Sequence, residues 1–429
     1  MEKRVKSPET GTGTSCERRR GPLVRRGLAA ASVLLGGTLL LTACGGSGSA
    51  GASDKSKQAA ADAAAAKDAS DAQIKITPGD KATNVGINND AKVAVTGGTL
   101  TKVTMTEVNS GKPVSGAISA DGRNWQPSGP LDRATAYRIA AAAKDAKGRA
   151  ATANSTFTTV SPAHSFIAYY TPDNGTTVGV GMPVSINFDK AISDKKAVQS
   201  HIQVTSSSGQ QAVGHWFGAN RLDFRPQDYW KAGSTVTLKL DLDNVQGAPG
   251  VTGVQSKTVT FHVGRAQVST VDVNTQTMTV TRDGKVVRTI PVSTGSPEHT
   301  TYNGQMVISE KYLQTRMDGS TVGFGGEYDI KDVPHAMRLS TSGTFIHGNY
   351  WSSKSVFGST ATSHGCIGLS DVQGAGDSST DAAWFYNNSE IGDVVVVKNS
   401  NDHTIAPDNG LNGWNMSWSQ WVAGSAVSS

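Results

Sequence analysis

The sequence has 429 residues, of which 37% are hydrophobic and 17% are charged, and its formal net charge is +5. Residues 1–43 hold eight Lys or Arg and three Asp or Glu, so this segment alone carries the excess of +5 and the rest of the chain is near neutral. A near-neutral chain argues against a nucleic-acid-binding protein, and the length allows several domains.

The N-terminal segment has the pattern of an export signal. Basic residues up to Arg26 precede an apolar run from Gly27 to Ala43 that is too short and too glycine-rich for a transmembrane helix. The sequence Leu41-Thr42-Ala43-Cys44 resembles a bacterial lipobox, in which a diacylglycerol is linked to the cysteine. We therefore expect a signal peptide at residues 1–43, lipidation at Cys44, and a position on the extracytoplasmic face of the cell membrane, facing the cell wall. A plain signal peptide with an incidental cysteine is the alternative, and export through Sec or Tat is open.

The next segments are predicted to be a tether and two β modules. Residues 44–73 are rich in Gly, Ser, Ala, Asp and Lys and contain no aromatic residue, which predicts a flexible tether. Residues 74–264 contain alternating runs such as Val184–Phe188, punctuated by turn residues. Their length fits two immunoglobulin-like β-sandwich modules, at residues 74–162 and 163–264, which act either as spacers or as substrate-binding modules.

A third, β-rich domain is predicted at residues 265–400. Asp283-Gly284 between alternating runs predicts a hairpin. The long span from Tyr312 to Ser342 shows no regular pattern, and we expect a lid or binding loop there. In the extension at residues 401–429, Trp414, Trp418 and Trp421 have the spacing of one helical stripe. Packing of these rings onto the third domain and its neighbour is favoured, with glycan stacking as the alternative.

The candidate reactive residues follow the long span. Cys366 is the thiol that remains once Cys16 leaves with the signal and Cys44 carries lipid, so no intramolecular disulfide is expected. A thiol near its ordinary pKa of about 8.5 is only a few per cent ionised at neutral pH, so a catalytic cysteine needs an imidazole to form the ion pair. His347 ends a predicted strand, and His364 shares a face with Cys366 if their segment is extended. The amides of Gly365 and Cys366 are candidate oxyanion donors.

Less specific interpretations remain open for these residues. Cys366 can be an inert core residue and His347 a structural histidine. A zinc site could use His335, His347, His364 and Cys366, but the paired short spacings of zinc sites are absent. We therefore expect no metal and no cofactor.

The order of these motifs resembles the L,D-transpeptidases with a YkuD-type catalytic domain. His347-Gly348-Asn349-Tyr350-Trp351 is followed by Ser363-His364-Gly365-Cys366, and the resemblance extends upstream and through the C-terminal extension. The further segments that carry it are His215–Phe217, Phe224–Pro226, Trp384–Tyr386, Gly392–Val395 and Gly413–Trp421. The subtype resembled is the actinobacterial lipoprotein with two immunoglobulin-like modules. The implied fold class is mainly β: two such sandwich modules, a β-rich YkuD-type domain with a lid loop, and a short C-terminal extension.

The resemblance implies an acyltransferase that forms 3→3 cross-links in peptidoglycan. Its cysteine attacks a donor tetrapeptide stem, which loses D-Ala, and the acyl group passes to the diaminopimelate amine of an acceptor stem. Carbapenem β-lactams are the implied inhibitors. An L,D-carboxypeptidase-like hydrolase on the same scaffold and a non-catalytic wall-binding lipoprotein are the alternatives.

The resemblance also assigns residues to roles. Cys366 is the nucleophile, His347 the proton donor and acceptor, and the backbone carbonyl of Gly348 orients His347. His364 and Gly365 belong to the motif and its oxyanion region. The implied substrate-binding residues are Tyr328, Ser342, Gly343 and Ser363. Gly368 stands where many members have Asn, so an amide that holds substrate is missing at that position.

Overall fold

A computed structural model describes residue 59, residues 69–88 and residues 90–427. The chain divides into a unit of residues 1–67 and a unit of residues 68–429. The predicted signal peptide, Cys44 and most of the predicted tether lie outside the described residues. Within the described ranges, no helix combines the length and the apolar character needed to cross a membrane.

Residues 73–159 form two sheets around one core. The strand orders are β1-β3-β7-β6 and β2-β9-β8-β4-β5. Alternate residues of β8 are buried, and they contribute Tyr137, Ile139 and Ala141 to the core. The strands are β1 (Gln73–Thr77), β2 (Ala82–Val85), β3 (Lys92–Thr96), β4 (Gly98–Glu107), β5 (Pro113–Val114), β6 (Gly116–Ile118), β7 (Asn124–Pro127), β8 (Ala136–Asp145) and β9 (Ala150–Thr159).

Residues 165–263 form three sheets around a second core. The strand orders are β10-β19-β18, β11-β13-β16-β15 and β12-β20-β17-β14. A short helix, α1 (Lys195–Ser200), is capped by the side chain of Asp194. The strands are β10 (Ser165–Phe166), β11 (Ala168–Thr171), β12 (Thr177–Val178), β13 (Val184–Phe188), β14 (Ile202–Ser206), β15 (Val213–Phe217), β16 (Arg221–Arg225), β17 (Thr235–Asp241), β18 (Gln246–Ala248), β19 (Val251–Gly253) and β20 (Ser256–Val263).

Residues 267–398 form a nine-stranded sheet in the order β24-β29-β21-β22-β23-β28-β27-β26-β25. The helix α2 (Asp381–Asn387) packs Ala382 and Phe385 into its core, and α3 (Trp418–Ala423) ends the chain's regular structure. The 3-10 helices are Gly319–Thr321, Lys354–Val356, Gln373–Ala375 and Gly413–Asn415. The strands are β21 (Gln267–Asp272), β22 (Thr277–Arg282), β23 (Lys285–Ser293), β24 (Gly304–Val307), β25 (Glu310–Asp318), β26 (Asp329–Arg338), β27 (Phe345–Asn349), β28 (Ile367–Ser370) and β29 (Val394–Lys398).

The prediction of a mainly β chain is confirmed. Each sheet takes its strands from one of three stretches, residues 73–159, 165–263 and 267–398. The exact domain bounds stay predictions.

The long span from Tyr312 to Ser342 is not the irregular loop that we expected. Strands β25 and β26 form an antiparallel hairpin, and residues 319–328 make its tip. The pattern is hard to recognise because β25 is mostly half-buried or exposed, so its two faces do not differ in polarity. Arg316 forms an ion pair across the hairpin with Asp329 at 2.7 Å.

The three tryptophans of the C-terminal extension do not form one helical stripe. Trp414 lies in a 3-10 helix, and α3 begins at Trp418 after a new cap at Ser417. Trp421 is fully buried and its Nε1 donates to the carbonyl of Val213 at 2.8 Å, while Trp414 donates to Gly181 at 2.7 Å. The extension therefore packs against residues 165–263, and packing was the expected role of these rings. The rings reach this surface from a 3-10 helix and a separate α-helix, and not from one continuous helix.

Candidate active site

Two neighbouring parallel strands position the reactive residues. In the register of β27 and β28, His347 lies opposite Gly368, and Cys366 immediately precedes β28. Residues 362–366 form a loop before β28, which we call the motif loop. The carbonyl of Thr294 holds this loop by accepting hydrogen bonds from the N–H groups of Thr362 and Ser363, both at 3.0 Å. Because both strands are in the buried part of the sheet, they hold the two side chains in a fixed relation.

A turn, rather than an extended strand, places Cys366. Gly365 has φ +99°, a conformation that favours glycine, so the segment is not extended and the condition for a shared strand face of His364 and Cys366 is not met. The hydroxyl of Ser363 closes the turn by donating to the carbonyl of Cys366 at 2.6 Å and accepting from the N–H of Gly365 at 3.2 Å. The Gly365 amide is thereby occupied. The N–H of Cys366 has no partner in the part of the chain that the structure describes, so it is the better placed oxyanion donor.

Both reactive side chains line one cavity of about 230 Å³. The hairpin β25–β26 covers one side of it and the motif loop the other. The lining residues are Met317, Tyr328, Ile330, His347, Asn349, Trp351, Ser352, Thr362, Ser363, His364 and Cys366.

Cys366 is buried in a small apolar cluster with Val333, Ala336 and Phe345. Burial raises the pKa of its thiol to about 11, and the hydrogen bond from the N–H of Phe345 to Sγ, at 3.4 Å, offsets this only partly. The thiol donates a hydrogen bond to the carbonyl oxygen of Gly343, which lies 3.6 Å from Sγ. The resting side chain is therefore a protonated thiol.

His347 is buried as well, and one tautomer is selected. Its Nδ1–H donates to the carbonyl of Gly348 at 2.9 Å, which leaves Nε2 as the proton acceptor. Burial lowers the pKa of His347, whereas the Gly348 hydrogen bond and the charge of Asp371 raise it. Burial therefore disfavours the charged form of both side chains, which opposes the ion pair that we expected.

A buried Asp371–His335 pair lies behind His347. The two side chains contact at 2.7 Å, from Oδ2 to Nδ1, and a Cβ on Gly348 would lie 1.9 Å from that same oxygen. Glycine at position 348 is therefore required by the carboxylate of Asp371. Sequence patterns place His335 only in a weak zinc hypothesis and give no signal for Asp371.

The predicted substrate-binding residues are not all brought to the cavity. Tyr328 lines it from the hairpin, and burial together with the nearby Cys366 raises the pKa of Tyr328 to about 12. Gly343 contacts the thiol through its carbonyl. Ser342 is exposed and does not line the cavity. Its hydroxyl instead accepts a hydrogen bond from the side chain of Asn409 at 2.8 Å.

Asn349 is a cavity residue that the sequence analysis missed. A Cβ on Gly368 would lie 3.5 Å from the Nδ2 of Asn349. The side-chain amide of Asn349 therefore lies next to Gly368, the position at which many members of the family have Asn. It is held by Ser352, whose N–H donates to Oδ1 at 2.9 Å and whose hydroxyl accepts from Nδ2 at 3.0 Å. In the pairing of β27 with β28, Asn349 lies opposite Ser370 and reaches Gly368 diagonally, a proximity that no local sequence pattern signals.

The chain is similar in sequence to known proteins. Residues 82–246 match the bacterial Ig domain and residues 266–397 match the L,D-transpeptidase catalytic domain, YkuD. L,D-transpeptidase 2 of Mycobacterium tuberculosis is 36% identical over 347 residues, which cover 80% of this chain and 82% of that protein. L,D-transpeptidase 5 of the same species is 31% identical over 363 residues, covering 83% and 77%. A solved structure of an LD transpeptidase in complex with imipenem is 29% identical and covers 54% of this chain and 98% of its own, with a TM-score of 0.46.

Proposed function

We propose a specific reaction for this chain, which belongs to the L,D-transpeptidase family of acyltransferases: 3→3 cross-linking of peptidoglycan stem peptides through an acyl-enzyme on Cys366. The donor is a tetrapeptide stem, and the acceptor is the side-chain amine of a diaminopimelate on a second stem. One observation carries the proposal: the thiol of Cys366 and the imidazole of His347 line the same cavity, and the tautomer of His347 exposes Nε2.

The first step forms the acyl-enzyme. Nε2 of His347 takes the thiol proton as Sγ attacks the carbonyl of the third stem residue, so charge separates only as the C–S bond forms. The N–H of Cys366 stabilises the oxyanion, an interaction that contributes about 3 kcal/mol in comparable sites. The C–N bond to D-Ala then breaks, and His347 returns the proton to the leaving amine.

The second step transfers the acyl group. The acceptor amine attacks the thioester carbonyl, loses a proton to His347 and forms the new amide bond, and the departing sulfur recovers that proton. Water competes with the amine for the same thioester, so the enclosure supplied by the hairpin β25–β26 favours transfer over hydrolysis.

The test uses disaccharide-tetrapeptide as substrate and mass spectrometry of the products. We expect 3→3 dimers and free D-Ala from the unaltered protein and neither from Cys366→Ala, with Cys44→Ala, which removes the other cysteine kept after the signal leaves, as the matched control. Tripeptide without dimer would establish the hydrolase instead. Dimer formation by Cys366→Ala would refute a cysteine acyl-enzyme.

Carbapenems are expected to acylate Cys366. Their strained amide presents a carbonyl to the same Sγ–imidazole pair, and the cavity walls offer apolar contacts from Met317, Ile330 and Trp351. Intact-protein mass after exposure should increase by one carbapenem in the unaltered protein and remain unchanged in Cys366→Ala. An adduct that persists in Cys366→Ala would place the reaction elsewhere.

We place the protein on the extracytoplasmic face of the cell membrane through lipid on Cys44. Support comes from the lipobox-like Leu41-Thr42-Ala43-Cys44 and from a predicted tether that lets the folded part reach the wall. Cell fractionation should find the protein with membranes and Cys44→Ala in the soluble or secreted fraction. Equal membrane association of both would contradict lipid anchoring.

A further inference from the structure

Three side chains outside the reactive pair converge beside the cavity mouth: His299, Glu327 and His364. One carboxylate oxygen, Oε2 of Glu327, lies 3.0 Å from Nε2 of His364 and 3.4 Å from Nε2 of His299. One ligand atom from each residue lies within 4.8 Å of the other two. Among the described residues, no other group of His, Cys, Asp and Glu meets this condition.

We propose that this cluster binds a divalent d-block ion such as Zn²⁺ and that the bound ion fastens the hairpin tip to the motif loop. Two imidazoles and one carboxylate are a ligand set that zinc accepts, with water in the fourth position. Ligand atoms about 2 Å from a tetrahedral ion lie roughly 3.3 Å apart. The two distances to Glu327 already match that spacing, so only the two imidazoles must approach each other.

Backbone hydrogen bonds hold each ligand in its segment. His299 belongs to a turn closed by its N–H donating to Ser296 at 3.0 Å, and the N–H of Ser296 donates to Ser363 of the motif loop at 2.8 Å. Glu327 belongs to the tip, where its N–H donates to Phe324 at 3.2 Å. The ligands therefore come from three segments that are adjacent without the ion, which lowers the entropic cost of binding it.

Aromatic rings surround the site, which is open to solvent. The rings of His299 and His364 stack with centroids 4.8 Å apart, and the ring of Phe324 contacts both edge-on. The three ligand side chains are each between 29% and 50% exposed, so an ion can enter directly from solvent. Imidazole ligands select zinc and its neighbours over Mg²⁺ and Ca²⁺, which prefer oxygen.

The position of the site gives the ion a consequence for catalysis. His364 lines the cavity, two residues before the proposed nucleophile, and Glu327 precedes the cavity residue Tyr328. An ion that joins them holds the tip against the motif loop, and substrate or carbapenem must then enter past a closed hairpin. We expect slower acylation of Cys366 in zinc. This effect on acylation rests on the proposed function, whereas the binding does not.

Binding is tested in the Cys366→Ala background, where the thiol cannot act as a ligand. Calorimetry with ZnCl₂ should show one ion per chain, with affinity at least tenfold weaker after His299→Gln or Glu327→Gln. The matched controls are His403→Gln and Glu107→Gln, which remove the same residue types outside the cluster and should leave affinity unchanged. Absence of binding, or equal affinity after His299→Gln, would overturn the proposal.

Fastening of the tip is tested by hydrogen exchange of residues 319–328 in the same background. Exchange should slow at least severalfold when ZnCl₂ is added, and it should not slow when His299→Gln is also present. Zinc binding without slower exchange at the tip would refute the fastening, whatever the activity of the protein. Slower exchange at the tip, together with a carbapenem acylation rate of the unaltered protein that ZnCl₂ does not change, would refute only the consequence for access.

Discussion

At the scale of single residues, burial decides the chemistry of the reactive pair. Cys366 and His347 both lie where a charge is poorly solvated, and the pKa of the thiol rises to about 11 while the pKa of the imidazole falls. In the proposed reaction, the proton therefore moves during the attack rather than before it. Such a nucleophile is protected from reagents that lack a carbonyl for the oxyanion donor to stabilise.

The first prediction concerns the alkylation of Cys366 by iodoacetamide. Because the reactive form is the thiolate, the rate should rise about tenfold per pH unit from neutral pH towards about 11. The rate is followed by intact-protein mass, with folding checked at each pH. A plateau below pH 7 would reveal a preformed ion pair and contradict the neutral resting state.

The second prediction concerns the support of His347 by Asp371. The carboxylate raises the pKa of His347, so Asp371→Asn should lower it. Acylation needs the neutral imidazole and is lost as pH falls through the pKa of His347, so the acid limb of the carbapenem acylation rate should move to lower pH. His335→Gln keeps the charge of Asp371 and serves as the control. An acid limb that stays in place or moves up in Asp371→Asn would count against this electrostatic role.

The third prediction concerns Asn349, which stands where Gly368 offers no side chain. If its amide holds the donor stem, Asn349→Ala should raise the KM for tetrapeptide about tenfold, the worth of one hydrogen bond, with a smaller change in kcat. Gly368→Asn in the Asn349→Ala background should restore binding in part. A change confined to kcat would assign Asn349 to positioning of His347 instead.

At the scale of elements, the hairpin β25–β26 acts as the cavity cover. Its tip packs on the turn before β27, where a Cβ on Gly343 would lie 2.5 Å from Val322. Phe324 adds ring contacts to His299 and His364 at 5.0 and 5.5 Å. The tip is therefore held by side-chain packing, which substitution of a single residue can weaken.

The fourth prediction is that Phe324→Ala loosens the tip. Water should then reach the thioester more easily, and the ratio of tripeptide to 3→3 dimer should rise severalfold. The assay is run with EDTA so that no ion fastens the tip. Val287→Ala, which removes an exposed apolar residue from another hairpin, is the control, and an unchanged product ratio in Phe324→Ala would refute the role of the cover.

At the scale of the whole molecule, the catalytic sheet is joined to the preceding module by backbone and by the C-terminal extension. Gly179 and Gly181 donate to Ile391 and Gly392 at 2.8 and 2.9 Å. The buried guanidinium of Arg225 lies 4.3 Å from the ring centroid of Trp421 and 4.7 Å from that of Trp414. Burial lowers the pKa of Arg225 to about 10, so it remains charged at neutral pH and the cation–π contacts persist. Residues 165–263 therefore pack directly against the catalytic sheet and the C-terminal extension.

The fifth prediction follows from that contact. Trp421→Ala should destabilise the fold by about 3–5 kcal/mol, because it removes a fully buried ring and leaves a cavity beside Arg225. Thermal unfolding followed by circular dichroism measures the change. Trp351→Ala, which removes a 43% exposed tryptophan at the cavity, should leave the unfolding temperature much closer to that of the unaltered protein. Equal effects of the two variants would contradict a stabilising role for the packing of Trp421 against residues 165–263.

The sequence by itself determined the features that local patterns encode. Period-two alternation marked the strands, and the mainly β class followed from it. The spacing of His347 and Ser363-His364-Gly365-Cys366 identified the family, and it supplied the pair that we propose to be reactive.

Only the tertiary structure decided what depends on contacts between distant segments. The hairpin β25–β26 was hidden because β25 is mostly half-buried or exposed and β26 is buried over five consecutive residues, so neither strand shows alternate buried and exposed positions along its whole length. Asn349 and Asp371 acquire their roles through the pairing of β27 with β28 and the packing behind it. The neutral state of Cys366 and His347 is a consequence of burial, and burial is a property of the assembled core that no local pattern of residues contains.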